Sequence, residues 1–185
     1  MWMTSHENEL PRSIRHHYLF GTMWPFFPTR SVFLSKTIPV SRSHLLSILH
    51  DPEQVLRVSP LFISLIPDPP KDPSSDSPTT GKAQWYTITE RLPMLGGLYE
   101  SSTTFRCRYE RTEDGYDAEV LAGAGTHLMN EARVRDADGE GEGVVFEEKL
   151  VVTGLFFLMP YIVSTMTTAH IAALDIIAEK ALQKN

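Results

Sequence analysis

Short stretches of alternating apolar and polar residues dominate the chain, and helical spacing appears in only three places. Ser31 to Val40 places Val32, Leu34 and Ile38 among residues of good strand propensity, which predicts a first β-strand. Ser41 follows as a candidate cap for a short helix with Leu45, Leu46 and Leu49 on one face. The tetrad Asp51-Pro52-Glu53-Gln54 predicts a second helix: Asp51 caps, Pro52 suits the first helical position, and Gln54 completes a box-like start. Leu61 to Ile66 is apolar and extended, and Pro67 to Gly81, with five prolines among Ser, Thr and Asp, reads as a solvated loop. A meander of strands is predicted next, over Ala83 to Leu92, Leu98 to Arg111, Tyr116 to Leu121, Thr126 to Arg135 and Val144 to Thr153. Turns as short as Glu113-Asp114-Gly115 force neighbouring strands to pair antiparallel. The pattern changes once more near Met159, where Val163, Met166, His170, Ala173, Leu174 and Ile177 recur at helical spacing through a long helix ending near Leu182.

Residues 1–30 form an extension to the domain at 31–185. Its second half carries Phe20, Trp24, Phe26 and Phe27 between prolines, which disfavour a regular helix or central strand. So many aromatics predict partial packing on the domain or a homodimer contact with a second copy. A flap over the mouth of a cavity is a further alternative.

With 185 residues, the chain suits one domain with its own core. The formal net charge of -6 removes nucleic acid from the candidate partners and disfavours anionic membrane surfaces. Leu150 to Val163 is the longest apolar run, interrupted by Thr153, Gly154 and Pro160 and shorter than the roughly 18 to 20 residues a spanning helix needs, so no stable membrane insertion is expected. A single cysteine, Cys107, rules out an intramolecular disulfide and favours a reducing, cytoplasmic setting. In its strand, Cys107 reads as a small buried hydrophobe, with a reactive thiol as the alternative.

No phosphate-binding loop, dinucleotide fingerprint or nucleophile elbow is present. Gly123-Ala124-Gly125 and the run Gly139 to Gly143 read as turns, and the seven histidines show no metal-ligand spacing, so neither cofactor nor metal is expected. Candidate chemistry lies instead in polar residues on faces that should point inward. On the second meander strand, Tyr99, Ser101, Thr103, Phe105, Cys107 and Tyr109 share the less charged face. Phe146 and Glu148 share the more apolar face of the last strand with Val144, Leu150 and Val152. A carboxylate buried there is costly without a partner and has a raised pKa, as a general acid or base would; a strand-end position or pairing with an arginine is the alternative. His170 lies on the apolar stripe of the long helix, flanked by Tyr161, Thr165 and Met166. It is either a satisfied core residue or a donor to a ligand carbonyl near neutral pH. His127 and Glu131 fall on a face read as outward.

The order of strand, two short helices, antiparallel strands and one long helix resembles the START-like, or SRPBCC, superfamily, which includes polyketide cyclases and lipid-transfer domains. The resemblance rests on Lys36-Thr37-Ile38-Pro39-Val40-Ser41 running into Leu45-Leu46 and Asp51-Pro52-Glu53, and on the helix after Val151-Val152-Thr153-Gly154. The Tyr86-Thr87-Ile88-Thr89 strand and the proline-rich loop before it look most like small fungal members. The resemblance implies an α+β helix-grip fold: a bent antiparallel sheet and two short helices around a long C-terminal helix, enclosing a hydrophobic cavity. It further implies a hydrophobic small-molecule partner, and the inward faces then offer Tyr86, Ser101, Thr103, Phe105, Tyr109, Phe146, Tyr161 and Met166 as ligand contacts and Tyr99, Glu148 and His170 as catalytic candidates. Three functions follow as expectations. The first is a cofactor-independent cyclase acting on a polyketide or terpenoid by aldol-type or pericyclic (Diels-Alder-type) closure. The second is a lipid or sterol carrier, and the third a protein-interaction module.

Overall fold

The computed structural model describes residues 26–69, 83–94, 98–137 and 143–183. The first strand, β1 (Thr29–Ile38), buries Val32, Leu34 and Ile38 and starts two residues earlier than the sequence predicts. Two short helices follow, α1 (Arg42–Leu49) and α2 (Pro52–Leu56). Both begin on the predicted caps. The Ser41 side chain accepts from the His44 amide, and Asp51 accepts from the Glu53 and Gln54 amides at 3.1 and 3.3 Å. The Gln54 side-chain amide closes the box by donating to the other Asp51 oxygen at 2.7 Å. These bonds satisfy backbone donors that a helix start otherwise leaves open. Asp51→Ala is therefore expected to lower stability by about 1 kcal/mol, read as a shift of the urea midpoint at constant slope.

Six further strands, β2 (Phe62–Pro67), β3 (Ala83–Met94), β4 (Tyr99–Arg111), β5 (Gly115–Leu121), β6 (His127–Asp136) and β7 (Val144–Thr153), complete a seven-stranded antiparallel sheet in the order β1-β7-β6-β5-β4-β3-β2. The first strand therefore closes on the last, in unbroken register from Thr29↔Thr153 to Ile38↔Val144. One face carries Tyr86 and Ile88 of β3, Cys107 and Tyr109 of β4, Tyr116 and Ala118 of β5, Ala132 and Val134 of β6, and Phe146, Leu150 and Val152 of β7, all buried. The other face carries cross-strand ion pairs: Arg133–Asp117 at 2.6 Å, Arg135–Glu147 at 3.0 Å and Lys149–Glu131 at 3.1 Å. Each such pair contributes little stability. As a set they mark the solvent face and fix which alternation points inward. His127 and Glu131 lie on this outer face, paired with Glu119 and Lys149. The Gly123–Gly125 segment is a tight turn, with Ala124 at φ 55 and Gly125 at φ 70.

The inner face is covered by α3 (Met159–Gln183), which buries Met166, Leu174, Ile177, Ala178 and Ala181. This is the only helix among the described residues long and apolar enough to cross a bilayer by length and composition. Its buried residues join the cluster formed by the sheet and α1. The carboxyl end of α1 is tied down twice, by Tyr109 donating to the Leu49 carbonyl and by Arg111 donating to the His50 carbonyl at 2.6 Å, while in its first turn His44 contacts the Ala181 carbonyl at 3.0 Å. Of the aromatic extension, Phe26 and Phe27 are described. Phe26 packs its ring 6.4 Å from that of Phe156, and its carbonyl accepts from the Phe156 amide. The expectations for residues 1–25 lie outside the described residues.

Candidate functional site

Strand alternation delivers Glu148 to the inner face between Phe146 and Leu150, where it is only 3% exposed. Three elements converge on its carboxylate. From α3, His170 places Nδ1 3.0 Å from Oε2. From β5, the Tyr116 hydroxyl donates to Oε1 at 3.0 Å, and from β6 the Asn130 side-chain amide donates to the same oxygen at 3.2 Å. Register explains the convergence: Ala132 pairs with Glu148 and Tyr116 with Ala132, so Tyr116 stands two strands away in the same row, with Asn130 diagonal to both. Behind Tyr116, the Tyr109 ring stacks at a centroid distance of 5.1 Å.

Burial drives the Glu148 pKa up, but the His170 imidazolium and the three hydrogen bonds outweigh it and hold the carboxyl below its ordinary value. Burial likewise pulls His170 down, and the adjacent carboxylate, with Glu90 adding to it, raises the imidazole above its ordinary value. Tyr116 is pushed well above the ordinary phenol range by burial and by the Glu148 charge, so it remains a neutral donor. The pair is thus a buried carboxylate–imidazolium. Nδ1 is committed to Glu148, which orients the ring and leaves Nε2–H as its remaining donor. No protein group among the described residues is hydrogen-bonded to Nε2, and the His170 side chain retains 23% exposure.

This pairing sets a pH window. Glu148, depressed on folding, contributes stability that is present above the ordinary glutamate value of 4.5 and lost as pH falls through its lower folded pKa. His170, raised on folding, contributes stability that is present below its ordinary value of 6.5 and lost as pH rises through its higher folded pKa. The pair's contribution is therefore full only between these ordinary values and declines on both sides. Urea titrations across pH are expected to show that maximum in the wild type and a flatter profile in the Glu148→Gln, His170→Gln double variant.

A cavity of about 190 Å³ opens between Pro60 and Leu61, ahead of β2, and Ser164, Thr165, Thr168 and Ala169 of α3. The remaining sequence-derived candidates distribute around the interior. Ser101, Thr103 and Phe105 are partly exposed on the inner face of β4, Tyr86 and Met166 are buried in the wall, and Tyr161 lies 36% exposed in the first turn of α3. Two of the candidates lie at the extremes of exposure. Tyr99 is 60% exposed, because β5 pairs with β4 only from Arg106 onward and the Tyr99 end overhangs its neighbour. Phe146 is 0% exposed and packs into the core with Tyr86 and Ile88. Tyr109 is also committed, its hydroxyl bonded to Leu49. Cys107 is a buried thiol whose pKa burial pushes up to about 12, which makes it a core hydrophobe.

Sequence reasoning missed Tyr116, Asn130 and Glu90. The signal was alternation: Tyr116 shares a face with Ala118 and Val120, Asn130 with Ala132 and Val134, and Glu90 with Tyr86 and Ile88. Each is the polar member of an otherwise apolar row, as Glu148 is.

A seven-stranded antiparallel sheet gripping a long C-terminal helix through two short helices is the Bet v1-like helix-grip fold. Within it, the chain belongs to the family described as "Domain of unknown function (DUF7053)", which matches residues 29–183. No curated protein matches the chain. Solved structures with the same fold include TTHA0849 from Thermus thermophilus, with a TM-score of 0.60 and 14% identity over 84% of this chain and 99% of that one. The ZhuI aromatase/cyclase from Streptomyces sp. R1128 gives a TM-score of 0.61 and 13% identity over 84% and 95%. Norcoclaurine synthase from Thalictrum flavum, in complex with dopamine and hydroxybenzaldehyde, gives a TM-score of 0.61 and 12% identity over 92% and 99%. At such identities the likeness establishes the fold.

Proposed function

We propose that this chain binds a hydrophobic polyketide or terpenoid between sheet and α3 and promotes its intramolecular cyclisation without a cofactor, by aldol-type or pericyclic closure. The observation that carries the reading is the buried Glu148–His170 pair. A carrier has no use for an ion pair on its inner wall, where desolvation makes charge costly. A cyclase does: the Nε2 proton of an imidazolium, held in place through Nδ1, can polarise a ligand carbonyl and stabilise charge developing on its oxygen. The apolar wall of Tyr86, Ile88, Phe105 and Met166 can hold a reactive conformer, which itself lowers the barrier. An aromatase/cyclase among the solved structures of this fold adds support at the level of architecture.

The test is native mass spectrometry of the full chain incubated with a lipophilic extract of its source, followed by release and comparison of the bound compound. Release of an isomer of the supplied compound supports the cyclase, and unchanged release supports a carrier. Given an isomerised compound, His170→Gln is expected to slow turnover about a hundredfold, the scale of losing one such donor. Glu148 acts through His170 and is a positioning residue. Glu148→Gln should therefore shift the alkaline limb of the pH–rate profile to lower pH, since the imidazolium loses the charge that sustains it.

A further inference from the structure

Large apolar and aromatic side chains face solvent at one end of the molecule: Phe26, Leu98, Tyr99, Leu121, Phe156 and Phe157 are each between 42% and 90% exposed. Topology gathers them. The β3–β4 hairpin, the β5–β6 turn and the β7–α3 turn leave an antiparallel sheet at the same end, and β1 enters there. Contacts join three of these segments. The Gly154 amide donates to the Pro28 carbonyl and the Phe156 amide to the Phe26 carbonyl, which carries the β1–β7 pairing beyond Thr29↔Thr153. The rings of Phe26, Phe156 and Phe157 follow one another at centroid distances of 6.4 and 5.5 Å. A carbon added at Gly125 of the β5–β6 turn would stand 3.0 Å from the Phe27 ring.

The two ends of the sheet differ in charge. Leu92 to Tyr99, Ala122 to Thr126 and Gly154 to Ala169 contain no charged residue. The ionic groups that flank the two hairpin turns are paired with each other, Arg91 with Glu100 at 3.7 Å and His127 with Glu119 at 3.0 Å. At the opposite end, the β4–β5 turn and the β6–β7 connection carry Glu113, Asp114, Asp136, Asp138, Glu140 and Glu142 with no base among them. We infer that the uncharged end docks on the surface of a zwitterionic phospholipid bilayer, with its aromatic tips at the headgroup boundary and the acidic end turned to water. Exposed apolar patches of this kind mark interaction surfaces, and interfacial binding grows with the apolar area buried. Charge selects the lipid: an acidic chain is repelled by anionic headgroups, and a neutral end needs none. A protein partner would meet a polar rim, whereas here the flanking ionic groups already satisfy one another. Docking would also set the cavity between Pro60–Leu61 and Ser164–Ala169 near the bilayer, because those helix residues belong to the half of α3 that follows Phe157, while Asp175 in the other half bonds Lys36 near the far end of β1. The inference does not require that any ligand be cyclised.

The experiment floats the full chain through a density gradient with vesicles of phosphatidylcholine alone and with vesicles of phosphatidylcholine and phosphatidylserine in equal amount. The chain is expected to rise with the first and less with the second. Phe157→Ser and Leu98→Ser should each lower the phosphatidylcholine partition coefficient about tenfold, while Leu182→Ser, an equally simple change at an exposed leucine near the far end of α3, should leave it within about twofold. All three variants should keep the parent's urea midpoint. No flotation with phosphatidylcholine, a preference for the phosphatidylserine vesicles, or equal loss in Leu182→Ser overturns the inference. So does a concentration-dependent dimer in sedimentation that Phe157→Ser dissolves, which would give this end to a second copy. A lowered urea midpoint in Phe157→Ser, which would give it to residues 1–25 of the same chain, overturns it as well.

Discussion

Gly115→Ala is expected to destabilise the protein by about 3 kcal/mol, a large fraction of the roughly 5–15 kcal/mol that holds a domain folded. Gly115 opens β5 opposite Arg133, and its amide-bearing turn is closed by the Thr112 amide donating to the Gly115 carbonyl and the Val134 amide to the Asp114 carbonyl. A Cβ placed there would stand 2.0 Å from the Ala132 carbonyl oxygen and 2.9 Å from the Ala132 carbonyl carbon. Both are backbone atoms in a paired strand, so no side-chain rotation relieves the overlap, and the β5–β6 ladder must part. The cost would extend to the interior, because Tyr116 follows directly and donates to Glu148. Gly123→Ala is the control: nothing lies within 4 Å of the added carbon, and stability should stay within about 0.5 kcal/mol of the parent. Chemical denaturation of the two variants side by side decides the point, and near-equal midpoints would refute the steric argument.

The same residues show how far the sequence alone could go. Alternation and caps were legible, because strands expose a two-residue period and Asp51-Pro52 has few other uses; β7 and both short helices fall where the pattern puts them. Glu148 was legible as the acid in an apolar row, and His170 as the polar residue on an apolar helical stripe. Their contact was not, because residues 22 positions apart on a strand and a helix meet only once the sheet's curvature and the helix's rotation are fixed. The arginine considered as a partner for Glu148 is absent for a physical reason: Arg106 and Arg108 of β4 and Arg133 and Arg135 of β6 sit on the opposite alternation and pair outside, and Arg111, at the end of β4, donates to the His50 carbonyl. Tyr99 looked like Ser101 and Thr103 because alternation records which face a residue takes and is silent on where a neighbouring strand ends. Asn130 was one polar residue in a row of hydrophobes, and only the assembled sheet brings it to the carboxylate that gives it chemistry.

The largest electrostatic effect is expected at Glu148 itself. Glu148→Ala removes the acceptor that satisfies Tyr116, Asn130 and His170 together, at 3.0, 3.2 and 3.0 Å. Tyr116 and Asn130 then retain only their mutual contact of 3.4 Å, and the Asn130 carbonyl oxygen already has no partner among the described residues. Breaking a buried pair while leaving its donors behind costs about 3 kcal/mol, and a urea midpoint shift equivalent to less than about 1 kcal/mol would mean that water replaces the carboxylate without loss. His170→Ala tests the complementary half by sign. With the imidazolium gone, burial becomes the dominant influence on Glu148, and its folded pKa moves from below to above the ordinary value of 4.5. The linkage then reverses. In the wild type, Glu148 adds stability that is lost as pH falls; in the variant, the protonated form is favoured by folding, and stability is lost as pH rises above 4.5. A wild type in which Glu148 adds stability as pH rises from 3 to 4.5, beside a variant that loses stability as pH rises above 4.5, would establish that the cluster is held as carboxylate and imidazolium. That charge state is what allows His170 to present a proton to the interior.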